Sequence, residues 1–211
     1  MQLDGKGWRS HYDEIGGRFD PLDRRLMHEH LLLIDLMESD DDLDCGVIEA
    51  ETIPPRAYRI VFRNLPTFVN IQPDQSPVLA SEHVMELHLP VGYPIDAPVC
   101  YMVSAAWHPN IQHETGPYQG RICGNTEGFG SFFSLDDLVL RVRSMLRYET
   151  YHAEMRFPYP EDEHVARWVR EVAEPMGWVK AGRGISLPIE WPQGWQSMLK
   201  TENRMKVRVH S

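Results

Sequence analysis

Residues 83–89 read His83-Val84-Met85-Glu86-Leu87-His88-Leu89. Apolar and polar side chains alternate, so Met85, Leu87 and Leu89 share one face and Glu86 and His88 the other. That is the period of a half-buried strand. Upstream, Tyr58-Arg59-Ile60-Val61-Phe62-Arg63 repeats the pattern, with Tyr58, Ile60 and Phe62 together. Val47–Thr52 and Val99–Val103 carry further strand signals. Three or four strands in succession with short connections favour an antiparallel meander. Residues 64–82 contain Pro66, Pro73 and Pro77 and read as a loop with room for one short edge strand. Tyr93-Pro94-Ile95-Asp96-Ala97-Pro98 links two strands; its prolines fix the backbone without sheet hydrogen bonds.

Helical signals flank the strands, which makes the class α+β. Asp20-Pro21 reads as an N-cap followed by proline at the first helical position, with Leu22, Leu26, Leu33 and Met37 at helical spacing. The helix is expected to end in the acidic run Ser39–Asp44, a solvated loop without the central glycine and closing glutamate of a calcium loop. Ser134 reads as the N-cap of a second helix. Its stripe is Leu135, Leu138, Val139, Val142, Met145 and Leu146, with Arg141, Arg143 and Arg147 pointing away. Pro160–Glu163 begins a third, with Val165, Trp168, Val169 and Val172 inward and Pro175 near its end. The chain therefore divides into a glycine-containing extension (1–19), a core (20–175) and a basic tail with three tryptophans (176–211).

Between the sheet and the second helix lie Trp107-His108-Pro109-Asn110-Ile111 and Gly120-Arg121-Ile122-Cys123-Gly124. Asn110 is a turn residue whose amide both donates and accepts. Cys123 follows it by thirteen residues. A thiol near pKa 8.5 is roughly 3% thiolate at pH 7 and is the strongest nucleophile available there without a cofactor. An amide donor beside it suits acyl transfer, because the donor can hold the oxyanion that develops. The same residues also read as a half-buried cysteine beside an asparagine turn.

At 211 residues the chain is long enough to bury a core without metal or disulfide staples. A net charge of −10 argues against general nucleic-acid binding. Cys45, Cys100 and Cys123 are scattered, with no C-x-x-C, which fits a reducing cytosol and neither a disulfide framework nor a zinc site. Residues 1–10 hold no apolar run, and the longest near the front, Leu31–Ile34, is too short for a bilayer. The expectation is a cytoplasmic protein with no cofactor, no metal, and neither nucleic acid nor membrane as partner.

Helix, meander, Tyr93-Pro94 with Pro98, His108-Pro109-Asn110, Gly120-Arg121-Ile122-Cys123 and an apolar helix, in that order, resemble the ubiquitin-conjugating enzymes over about residues 20–173. The resemblance implies their fold: an N-terminal helix, a four-stranded antiparallel meander, then C-terminal helices. It implies that Cys123 accepts a ubiquitin-like C-terminus as a thioester from an activating enzyme and passes it to a lysine of a target protein. Asn110 would support the oxyanion of aminolysis or hold the loop; His108 and Pro109 would shape the turn, with Asn125 orienting beside the cysteine. Glu127, Glu149 and Glu154 are candidates for orienting the amine. Arg24 and Arg25 match the region that contacts the activating enzyme. Ile95 stands where the family commonly has a ligase-contacting aromatic. Of Phe129, Phe132 and Phe133, two are expected to pack under the cysteine loop. Cys45 and Cys100 are expected to be structural.

The sequence also departs from the family pattern. The interval from His-Pro-Asn to the cysteine is about five residues longer, with His113–Pro117 the insertion. Gly124-Asn125 replaces Leu-Asp, and Ala97 replaces a proline. With the terminal extensions, these features look more like the stand-alone conjugating enzymes of bacterial operons, some of them antiphage. Other readings are a non-catalytic ubiquitin-like-binding module of the same fold, a Cys/His hydrolase with His113 or His108 as base, and a metal protein. The ten histidines lack ligand spacing for the last.

Overall fold

The computed structural model describes residues 5–48, 52–123, 133–157 and 159–186. Helices α1 (Gly5–Ile15) and α2 (Pro21–Ser39) precede strands β1 (Leu43–Val47), β2 (Ala57–Phe62), β3 (Thr67–Ile71), β4 (Pro77–Ala80), β5 (His83–His88) and β6 (Val99–Met102). Helices α3 (Leu135–Leu146) and α4 (Glu163–Trp168) follow, the latter continuing as a wider turn to Ala173, and a short hairpin β7 (Val179–Lys180)–β8 (Gly184–Ile185) comes last. β1, β2, β5 and β6 form a four-stranded antiparallel sheet in that order, the expected meander. The class is α+β.

Register explains the core. Cys45 pairs with Ile60, Ile60 with Met85 and Met85 with Met102; in the next row Val47, Tyr58, Leu87 and Cys100 are aligned. These rows meet Leu26 and Leu33 of α2 and Leu135, Val139, Val142 and Leu146 of α3 in one cluster. Burying each such side chain contributes about 1.5–3 kcal/mol. Asp20 caps α2 as expected, its carboxylate accepting from the Asp23 amide at 2.9 Å.

Several elements differ from the expectations. β1 starts at Leu43, inside the acidic run, and ends at Val47. Asp44 is thereby set against Arg63 at 2.8 Å. Asp40 is buried rather than solvated, because it receives the guanidinium of Arg143. Arg143 in turn is buried and does not point away from the apolar stripe. Residues 67–80 form a hairpin, not a loop. Pro77 opens β4, where no amide is needed, and the turn is tied by the Asp74 carboxylate on the Ser76 amide at 3.0 Å. The glycines of the first nineteen residues hid a helix. α1 buries Trp8 and Tyr12 against Ile34, and Arg9 reaches Asp35 and Glu38 of α2.

A second cluster under the β3–β4 hairpin gathers Phe68, Trp107, Tyr148, Val165, Trp168, Val169, Trp178 and Ile185. It fastens α4 and the β7–β8 hairpin beside the His-Pro-Asn turn. Trp191 and Trp195 lie outside the described residues.

Candidate active site

The segment Gly120–Cys123 is stitched between two neighbours. On one side the Met102 amide donates to the Gly120 carbonyl at 2.7 Å and the Ile122 amide donates to Cys100 at 3.0 Å. On the other, the Gly120 amide donates to Gln112, the Gln112 amide to Arg121, and the Cys123 amide to the Asn110 carbonyl at 2.9 Å. The glycine is required: Gly120 has φ +79°, and a Cβ there would collide with the Met102 carbonyl. Cys123 is thus set at the end of a short extended segment, partly exposed, directly opposite Asn110.

The His-Pro-Asn turn is anchored from beneath. The Asn110 amide donates to His108 Nδ1 at 3.1 Å, so that nitrogen is the unprotonated acceptor. His108 is 1% exposed, its ring lies 4.6 Å from that of Tyr148, and burial lowers its pKa to about 3. A neutral ring with Nδ1 engaged by its own turn is suited to shaping that turn. Tyr148 donates its hydroxyl to the Trp107 carbonyl, and the Asp162 amide donates to Pro109 at 3.0 Å. Asp162, itself buried, also accepts from the amides of His113 (2.9 Å) and Val165 (3.0 Å). One carboxylate therefore caps α4 and pins the start of the insertion. The ring of His113 stands edge-on to Trp107 at 4.5 Å.

Beside the thiol is a carboxylate that sequence reading assigned only to a helix start. Glu161 accepts from Arg121 Nε at 2.7 Å and from a second guanidinium nitrogen of the same residue. The Arg121 guanidinium also lies 4.5 Å from the Tyr118 ring centre. Cys123 is raised above the ordinary thiol pKa, first by burial and then by the charge of and hydrogen bond to Glu161, with Arg121 opposing. Cys45 and Cys100 are pushed up to about 12, chiefly by burial. The one available signal for Glu161 was its place just before Asp162, at the expected start of α4.

Glu149 and Glu154 are engaged by other partners. Glu149 accepts from Ser144 Oγ at 2.7 Å, and Glu154 pairs with Arg156 at 2.5 Å on the surface. Arg24 donates to the Phe19 carbonyl at 2.9 Å, whereas Arg25 turns inward to Glu29. Ile95 is exposed. Asn125, Glu127, Phe129 and Phe132 lie outside the described residues. Phe133 lines a cavity of about 520 Å³ together with Cys123, Asn110, Ile122, Met145 and His152. Among the described residues no group of three or more His, Cys, Asp or Glu is arranged to hold a metal ion. No described helix is long and apolar enough to cross a membrane.

No family model and no curated protein matches the chain. Among solved structures it is similar to a ubiquitin conjugating enzyme E2 domain of Toxoplasma gondii, at 19% identity and a TM-score of 0.49, covering 72% of this chain and 88% of that one. A putative ubiquitin conjugating enzyme from Plasmodium yoelii is 16% identical, with a TM-score of 0.48 over 72% of this chain and 86% of that one. Human ubiquitin-conjugating enzyme E2 G1 is 17% identical, with a TM-score of 0.42 over 59% and 95% respectively.

Proposed function

We propose that this protein is a conjugating enzyme for a ubiquitin-like protein, with Cys123 as the thiol that carries it. The observation that carries the reading is the meeting of Cys123 and Asn110 at one cavity wall, backbone bonded to backbone. The order of the sequence motifs supports it independently.

In charging, the Cys123 sulfur attacks the thioester carbonyl on the activating enzyme, and that enzyme's thiolate leaves. A thiol held above its ordinary pKa is a poor nucleophile alone, so the partner contributes to this step. In discharge, a lysine nitrogen attacks the Cys123 thioester, the C–S bond breaks, and the amine gives up a proton. At pKa about 10.4 only roughly 0.04% of a free lysine is neutral at pH 7. In this reading Glu161, whose charge acts on the thiol, orients that amine and accepts its proton. Asn110 holds the oxyanion.

The finer placement, among stand-alone enzymes of bacterial operons with an antiphage role, rests on the long interval before Cys123 and on the terminal segments. An adjacent ubiquitin-like protein and activating enzyme in the genome test it. The activity itself is tested by mixing the protein with its activating enzyme, ATP and the ubiquitin-like partner. A thiol-reducible adduct is expected, lost in Cys123→Ala and kept in folded Cys45→Ala and Cys100→Ala. An adduct that survives Cys123→Ala overturns the assignment.

A further inference from the structure

Glu29 of α2 is fully buried, and its carboxylate serves three elements at once. Arg25 Nε donates to Oε1 at 2.5 Å, Tyr93 donates its hydroxyl to Oε1 at 2.8 Å, and the Leu135 amide donates to Oε2 at 2.7 Å. Arg25 continues beyond the carboxylate, its Nη2 reaching the Phe133 carbonyl at 3.0 Å. Ser134 stands at the N-cap of α3, but its hydroxyl bonds the Asp137 carboxylate, not a backbone amide. Glu29 supplies the capping acceptor that Ser134 does not, from a different helix.

This network fixes the backbone on both sides of Ser134, and with it Phe133. The Phe133 ring lies beneath the Arg141 guanidinium at 3.8 Å and lines the cavity that holds Cys123 and Asn110. A buried carboxylate with charged, hydroxyl and amide donors is rigid, because moving any donor leaves charge uncompensated. Arg25 is itself part exposed, at 31%, so one end of the network reaches the surface of α2.

We propose that Arg25 and Glu29 are positioning residues for the thiol site: they set the place of Phe133, and so the shape of the cavity wall that an acyl group or an attacking amine meets beside Cys123. The inference rests on the conjugating reading for its purpose, but not for its test. Arg25 then acts through its fork, Nε and Nη2 both on Glu29 and Nη2 also on the Phe133 carbonyl, which an ammonium cannot reproduce.

The test uses the full chain without any partner. Cys123 is alkylated with iodoacetamide and with N-phenylmaleimide, the adduct is mapped by mass spectrometry, and melting temperature is measured in parallel. In Arg25→Met and Arg25→Lys the ratio of the two rates is expected to change by at least about threefold, as when one of two competing transition states meets a shifted wall. Phe133→Ala is expected to change it in the same sense. Tyr93→Phe removes a hydroxyl from the network but leaves both contacts that tie Arg25 to Glu29 and to Phe133 in place; it should lower the melting temperature and leave the ratio unchanged. A wild-type ratio in folded Arg25 variants, or an equal change in Tyr93→Phe, overturns the proposal. Because alkylation needs no ubiquitin-like protein, this failure is distinct from a failure to form the thioester.

Discussion

The side-chain oxygen of Asn110 accepts the backbone amide of His152 at 2.9 Å. A backbone N–H can be received only by the oxygen end of a carboxamide, so the contact orients the group and turns Nδ2 to the other side. Asn110 and His152 both line the cavity that contains Cys123. The end of Asn110 left for a substrate oxygen is therefore a donor.

That orientation gives a sharper variant than alanine. Asn110→Asp keeps an oxygen for His152 and removes the donor. Charging of Cys123 should persist with a near-native melting temperature, and single-turnover discharge to lysine should slow by about 100- to 1,000-fold. An unchanged discharge rate removes Asn110 from the chemistry; parallel loss of charging and stability makes it a turn residue only.

Glu161 should have opposite effects on two readouts. Its charge and hydrogen bond hold the Cys123 thiol up, so Glu161→Gln should lower the midpoint of the pH–alkylation profile and speed alkylation at neutral pH. The same change should slow discharge to lysine, by about 100-fold if Glu161 takes the proton. An alkylation profile that does not move contradicts the placement of the carboxylate at the thiol.

Burial lowers three histidines: His30 to about 4, His108 to about 3, and His83 in the same direction. Below pH 6.5 the unfolded chain takes up protons there that the folded chain refuses. Stability is therefore full above pH 6.5 and is lost as pH falls toward the folded values, by up to about 1.4 kcal/mol per pH unit for each group. Melting temperature should drop by several degrees between pH 7.5 and 5.5, a range in which ordinary carboxylates scarcely titrate. A flat profile would contradict the neutral buried rings.

Arg143 and Asp40 form a buried ion pair, with side chains 6% and 8% exposed. Removing one partner strands the other charge. Arg143→Ala is expected to cost about 3–5 kcal/mol in chemical denaturation, far more than loss of the exposed Arg59–Glu86 pair.

The sheet and α3 were legible because their side chains obey a single period. In β5 burial alternates residue by residue, as His83–Leu89 reads. The strand limits at β1 were not legible, because the acidic run looks uniformly solvated, whereas Asp40 is buried on Arg143 and Asp44, though exposed, sits in a strand beside Arg63. α1 escaped because only Trp8 and Tyr12 carry its buried face. At the site, Cys123 and Asn110 were readable from local motifs, and their juxtaposition is made by hydrogen bonds that link residues 110–112 to 120–123. Glu161 was not readable, since its approach depends on Asp162 docking on Pro109 and His113 and on Arg121 reaching across. Arg25 looked like a surface cation and is held by a carboxylate one helical turn away.

The most direct measurement is the intact mass of the protein after incubation with its activating enzyme, ATP and ubiquitin-like partner. Wild type should gain one partner mass less one water, reversed by added thiol. Cys123→Ser should gain the same mass in a form that resists thiol, because an oxyester replaces the thioester. No mass gain in wild type, or a thiol-labile adduct persisting in Cys123→Ser, would contradict the assignment of Cys123 as the acyl-carrying nucleophile.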